Sequence, residues 1–288
     1  MDVVDTHTHV ISPDVTRYPL APLGGRQSDW SRDHPVDIDG LLAGIDAAGI
    51  AKAVVVQAST VYGHDNRYVV QAVRAHPDRF GGVYSIDALA PDAVPRIQHW
   101  QDQGLHGFRL FTTGTTMPGQ GDWLGHPDSY PAWAYAEEHD IPVCLQMTIQ
   151  GLPALRHLLE RFPRVRVLLD HCARPDLSDG RPYRKAADLF AMAAFPGVHL
   201  KLTHRALAAS AEGASKPQEF LADLVDAYGA DRIAWGSNFP AASGTPTEIL
   251  AEARETLAGL PDEVQAQIFG GTAVSFYSNL AATGGSRD

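Results

Sequence analysis

Eight short apolar runs, each separated from the next by a stretch of helical spacing, constrain the fold of this chain most. The runs cover residues 3–9, 51–57, 80–87, 105–111, 141–147, 165–171, 198–203 and 232–237. Each is short, often β-branched, and bounded by Gly, Pro or Asp, as buried strands are. Four intervening stretches carry a one-sided apolar face. Residues 39–48 hold Leu41, Leu42 and Ile45; 66–76 hold Val69, Val70 and Val73 and stop before Pro77. Residues 155–162 hold Leu155, Leu158, Leu159 and Phe162 before Pro163; 220–228 hold Phe220, Leu221, Leu224 and Val225. Weaker helical signals surround Pro95 and Pro182. Helices over 262–269 and 273–280 are expected to close the bottom or side of the molecule. Strand alternating with helix predicts parallel βαβ units. Eight units in 288 residues predict a (β/α)8 TIM barrel. One domain is expected over 1–280, with the small, polar residues 281–288 as a disordered tail. The alternative, an open doubly wound sheet, usually carries a glycine-rich phosphate turn after its first strand. Here that position reads His7-Thr8-His9.

Composition removes several classes of function. The net charge of -11 argues against a nucleic-acid partner. The two cysteines, Cys144 and Cys172, lie in apolar contexts, so a reduced, cytoplasmic setting is expected rather than a disulfide framework. No run approaches the roughly 18 apolar residues of a membrane span, and no signal peptide is expected. A small anionic molecule is the expected partner, with the protein a monomer or a homo-oligomer.

In a barrel the chemistry sits at the C-terminal strand ends, so reading those ends yields a site with little freedom. Residues two apart on a strand share a face, which projects His7 and His9 together, with Asp5 beneath them. The second run gives Gln57, then Ser59 and the loop His64-Asp65-Asn66-Arg67. The third gives Asp87, the fourth Arg109, the fifth Gln146 and the sixth His171. The seventh gives Lys201, Thr203 and His204, and the eighth gives Asn238. Arg109 either binds an anion or pairs with Asp87 across neighbouring strands. The facing of Lys201 is open, because Leu200 and Leu202 compete for the interior. Gly236 is expected to be small because the interior leaves little room. Two long loops, 11–35 and 112–125, are expected to form a lid or pocket wall.

A His-x-His strand end, Asp170-His171 at the sixth run and Trp235-Gly236-Ser237-Asn238-Phe239-Pro240 at the eighth resemble the amidohydrolase superfamily. The lactonase branch is the closer likeness, carried further by Val55-Val56-Gln57-Ala58-Ser59, Gly63-His64-Asp65-Asn66-Arg67, Gly104-Leu105-His106-Gly107-Phe108-Arg109 and Leu168-Leu169-Asp170-His171-Cys172-Ala173-Arg174-Pro175. The resemblance covers nearly the whole chain in order. It implies a hydrolase acting at the barrel mouth on a small lactone. Two positions depart from the pattern. Metal-binding members usually carry histidine where Gln146 stands and aspartate where Asn238 stands. An amide oxygen is a poor zinc ligand beside imidazoles, and asparagine cannot take a proton from water at neutral pH.

The expectation is therefore a hydrolase that opens a carboxylated lactone. His7, His9, His171 and Asn238 are its catalytic candidates; Gln57, Arg109, Gln146, Lys201 and Asp87 are its substrate-binding candidates. His7, His9 and Arg109 are expected to polarise the carbonyl and hold the anion, with His171 transferring the proton. No cofactor is expected; the alternative is one Zn2+ on His7, His9 and His171. Rival readings are a lyase that decarboxylates or cleaves a C–C bond, and a non-catalytic small-molecule binder, since barrels host many reactions.

Overall fold

The computed structural model describes residues 2–112 and 122–281. Eight parallel strands form one sheet in sequential order: β1 (Val3–Thr8), β2 (Ile50–Val56), β3 (Phe80–Ser85), β4 (Phe108–Phe111), β5 (Val143–Gln146), β6 (Val167–Leu169), β7 (Val198–Leu202) and β8 (Ile233–Trp235). β1 and β8 meet to close the ring. The Thr6 hydroxyl donates to Trp235 O at 2.7 Å. Just beyond β8, Asn238 N donates to His7 O at 2.8 Å and His9 N to Phe239 O at 2.9 Å. This is the (β/α)8 barrel, with all eight strands at the expected places and their ends trimmed by up to three residues. Trimming reflects where parallel pairing stops; the polar residues beyond belong to the mouth.

Alternation along the strands divides the apolar residues into two shells. Val143, Leu145, Val167, Leu169, Leu200 and Leu202 face outward into the layer beneath the helices. Val4, Val54, Val56, Val83, Cys144 and Leu168 face inward. The inward set packs on Ala273, Phe276, Tyr277 and Leu280, so the C-terminal helical segment plugs the barrel bottom, as expected for 273–280. Because Leu200 and Leu202 face out, Lys201 between them faces in. That settles the facing left open by the sequence.

The helices Ile38–Ala47, Arg67–Ala75, Leu152–Arg161 and Pro217–Tyr228 form where the apolar spacing places them, and Ala93–Asp102 covers the weak signal at Pro95. Around Pro182 the chain forms a 3-10 turn, Arg184–Ala186, then the short helix Ala187–Ala191. Among the further helices, Tyr130–Glu138, His204–Ser210 and Pro246–Leu257 have no counterpart in the apolar spacing used above. The last is announced by a capping box in which Thr245 and Glu248 satisfy each other's backbone groups. Loop 11–35 lies against the mouth: Ala21 N and Leu23 N donate to Val61 O and Ser59 O, and the Ser28 and Thr60 hydroxyls pair at 2.8 Å. It contains the short helix Asp29–Asp33. Most of loop 112–125 and the proposed tail lie outside the described residues. Among the described residues no helix is long and apolar enough to cross a membrane.

Candidate active site

At the C-terminal strand ends a narrow cavity is lined by His9, Trp30, Ser59, Thr60, Arg109, Phe111, Gln146, His171, Arg174, Arg205 and Asn238. A roomier cavity, about 640 Å³, lies on the outer surface between the helices Arg67–Ala75 and Ala93–Asp102. The smaller one is the candidate site, because the imidazoles and inward-facing charges converge there and barrel chemistry sits at that face.

Beneath the cavity lies a buried charge cluster. Asp170, just past β6, takes Arg109 Nε on Oδ2 at 2.8 Å and faces the Lys201 ammonium from Oδ1 at 2.8 Å. Lys201 Nζ also lies 2.9 Å from His7 Nδ1. Asp170, Lys201 and His7 are fully buried, and Arg109 nearly so. Burial alone would push the Asp170 carboxyl up. Lys201, Arg109 and His7 outweigh that and hold it well below the usual carboxylate range. Asp170 was legible only as part of a motif; its role as counter-ion to both cations follows from its place just past β6, continuing the inward side on which Leu168 lies.

The three imidazoles are close but differently tied. The His7 ring centroid lies 4.9 Å from that of His9 and 5.0 Å from that of His171. His9 Nδ1 donates to Val56 O at 2.8 Å, and the ring stacks on Trp30 at 5.2 Å. Its proton is therefore on Nδ1, and Nε2 carries a lone pair. This corrects the expected role of His9: it cannot polarise a carbonyl as a donor, only accept. Burial, then Arg109, push its pKa down to about 3, so it is neutral at physiological pH. His171 Nδ1 pairs with the Thr203 hydroxyl at 2.8 Å. That hydroxyl can give or take the bond, so the ring can present either a lone pair or an N–H at Nε2, as a proton carrier must. Burial, then His7, push the His171 pKa well below its ordinary value.

Backbone strain aims two of these groups. His171, Cys172, Ala173 and Arg174 all have φ between 52° and 58°, a left-handed run of four non-glycine residues. Asn238, after β8, has φ 62°. Such conformations cost of order 1 kcal/mol or more each and concentrate where side-chain placement matters. Here they leave His171, Arg174 and Asn238 lining one cavity. Gly236 serves the same closure: a Cβ there would meet His7 Cβ at 2.8 Å and His7 N at 3.1 Å. Asp5 ties the two strand ends together by accepting from His7 N at 3.0 Å and Ser237 N at 2.8 Å. Burial, only partly offset by these bonds and Lys201, raises its pKa to about 6.

Two expected substrate contacts lie elsewhere. Gln57 is fully buried and donates from Nε2 to Gly63 O and Asp65 O, so it pins a loop. Asp87 is exposed and accepts from Leu89 N; Arg109 pairs with Asp170 and not with Asp87. Gln146 does line the cavity, and its Oε1 has no hydrogen-bond partner among the described residues. Lys201 lies a layer deeper than expected. Trp30, Arg174 and Arg205 line the cavity without having been singled out as site residues. Arg174 stands three residues past His171, and Arg205 two past Thr203, which is the signal that could have found both.

A profile of the family described as Amidohydrolase matches residues 4–278. The chain belongs to the amidohydrolase family. This amidohydrolase is 28% identical over 251 residues to L-fucono-1,5-lactonase of Burkholderia ambifaria, covering 84% of each chain. It is also 28% identical over 179 residues to 2-pyrone-4,6-dicarboxylate hydrolase of Comamonas testosteroni, covering 62% of this chain and 53% of that one. In structure it resembles a putative 2-pyrone-4,6-dicarboxylic acid hydrolase from Pseudomonas putida (TM-score 0.77, 21% identity, 96% and 98% coverage). It equally resembles a zinc-bound amidohydrolase from Burkholderia multivorans (TM-score 0.76, 21% identity, 96% and 99% coverage). At that identity the two structures speak for the fold.

The residues of this amidohydrolase do not fit the metal that the superfamily pattern implies. Among the described residues no group of three or more His, Cys, Asp or Glu is spaced to hold an ion. Of the two buried carboxylates near the imidazoles, Asp170 already faces two cations and Asp5 is tied to His7 N and Ser237 N, while Asn238 supplies no charge. A divalent ion here would add its charge to those of Lys201 and Arg109.

Proposed function

We propose that this amidohydrolase opens a small carboxylated lactone by adding water, without a metal. The observation that carries the reading is the charge of the cavity: among the described residues three guanidiniums line it and no carboxylate does, in a chain of net charge -11. Burial, then Arg205 and Arg109, lower the Arg174 pKa to about 10, so like charges crowd there in want of an anion. A substrate carboxylate bridging Arg174 and Arg205 relieves that crowding and positions the ring. Arg109, fixed by Asp170, and the Asn238 amide then face the lactone carbonyl and stabilise its developing oxyanion. The His9 Nε2 lone pair orients the attacking water. Neutral His171 takes the water's proton and returns it to the ring oxygen as the C–O bond breaks, with Thr203 adjusting the other nitrogen.

Of the compounds named for the curated relatives, the dicarboxylate suits three guanidiniums better than a neutral sugar lactone. The test is proton release from a panel containing 2-pyrone-4,6-dicarboxylate, L-fucono-1,5-lactone and monocarboxylated lactones. Carboxylated members should react faster, and His171→Ala should lower their turnover about 10²–10⁴-fold with the fold intact. Preference for neutral lactones would reject the anion-binding part; near-normal turnover of the variant would reject His171.

A further inference from the structure

Lys201 has no place among groups that touch a substrate, yet it is among the largest fully buried side chains in the barrel. Its ammonium lies 2.9 Å from His7 Nδ1 and 2.8 Å from Asp170 Oδ1, atoms that are themselves 3.5 Å apart. It is thus a cation bridging an imidazole nitrogen and a carboxylate oxygen. We propose that the Lys201 ammonium, by holding His7 Nδ1 as an acceptor, fixes the His7 proton on Nε2 and, with its own charge, thereby keeps a divalent ion off the His7–His9 pair.

The tautomer follows from valence. An ammonium has three donors and no lone pair, so His7 Nδ1 must accept from it. The His7–Asp170 approach of 3.5 Å is too long to compete as a hydrogen bond. With Nδ1 accepting, the His7 proton stands on Nε2. That atom is buried and has no hydrogen-bond partner among the described residues. His9 is in the opposite tautomer, protonated on Nδ1 against Val56 O. The pair therefore offers one N–H and one lone pair at Nε2, where a metal requires two lone pairs. Moving the His7 proton to Nδ1 would set two donors face to face at 2.9 Å. Lys201 is in this sense a positioning residue acting through His7, whatever substrate the cavity takes.

Two measurements test this. In ¹⁵N-histidine spectra of the wild-type protein, the His7 signals, assigned by their loss in His7→Gln, should report Nε2 protonated and Nδ1 bare near pH 7. The opposite pattern overturns the proposal, and this readout needs no Lys201 variant. In zinc titrations followed by calorimetry, the wild type should take up no stoichiometric ion. Lys201→Met, of similar length, should bind about one equivalent, with affinity raised on the order of 100-fold or more as the repelling charge goes. Adding His7→Gln to Lys201→Met should abolish that gain. Tight zinc in the wild type, or no gain in Lys201→Met, overturns the exclusion. If Lys201→Met does not fold, the wild-type spectrum and titration still decide.

Discussion

Replacing Asp170 by Asn should expose how much of the barrel's stability hangs on one carboxylate. Among the described residues Asp170 is the carboxylate paired with both Lys201 and Arg109, each at 2.8 Å. At an effective dielectric of about 20 each attraction is worth roughly 6 kcal/mol before desolvation is subtracted. What the variant loses is smaller, because the amide keeps the shape and still accepts from Arg109. Removing one partner of a buried pair leaves an uncompensated charge, at about 3–5 kcal/mol. For a chain of this length that corresponds to a melting temperature lower by about 5–8 °C. The assay is thermal and urea unfolding by circular dichroism at pH 7. The sign with pH is fixed too. The folded-state pKa of Asp170 is depressed, so its contribution is present above the unfolded value near 3.9 and is lost as pH falls through the folded one. The gap between variant and wild type should therefore be full at pH 7, begin to narrow below about pH 4 and close only as pH falls through the depressed folded-state value. Asp170→Asn/Lys201→Met should recover part of the loss, since it removes the stranded cation. A single variant as stable as wild type at pH 7 would refute the account of this cluster.

Other perturbations separate placement from chemistry. Gly236→Ala should destabilise by about 1–3 kcal/mol in urea unfolding, since its Cβ would press on His7 at 2.8 Å. Arg174→Met should raise KM for a carboxylated lactone by about 10–100-fold, with a smaller effect on kcat and little on a neutral lactone, as steady-state kinetics on both will read. His9 is neutral when folded, with its pKa lowered from 6.5 to about 3, so it binds fewer protons there than in the unfolded chain. Its contribution is complete above pH 6.5 and lost as pH falls toward 3, and His9→Gln should flatten the stability–pH curve across that window.

The fold was legible in the sequence because alternation and turn residues act locally: eight apolar runs alternating with helical faces point to parallel βαβ units, and His7-Thr8-His9 in place of a glycine-rich turn favours the barrel over the open sheet. The mouth was legible because strand ends carry it, which placed His9, Arg109, Gln146, His171 and Asn238 around one cavity. What escaped depends on three-dimensional pairing. Whether Lys201 points in follows from the outward packing of Leu200 and Leu202, which the strand alone leaves undecided. That Gln57 pins a loop, and that Asp87 turns to Leu89 N, depends on how chain beyond the strand folds back. The tautomer of His9 depends on the Val56 carbonyl, 47 residues along the chain. Arg174 reaches the cavity through a left-handed run of non-glycine residues that no local propensity announces.

The central claim is that this site adds water to a carboxylated lactone without help from a metal. Turnover of such a lactone in ¹⁸O-labelled water, by protein stripped with a chelator and verified by metal analysis, tests it most directly. The account predicts an opened acid heavier by one water, carrying one ¹⁸O atom, at the rate of the untreated protein. Loss of carbon dioxide from the product, or activity that disappears on stripping and returns with zinc, would contradict it.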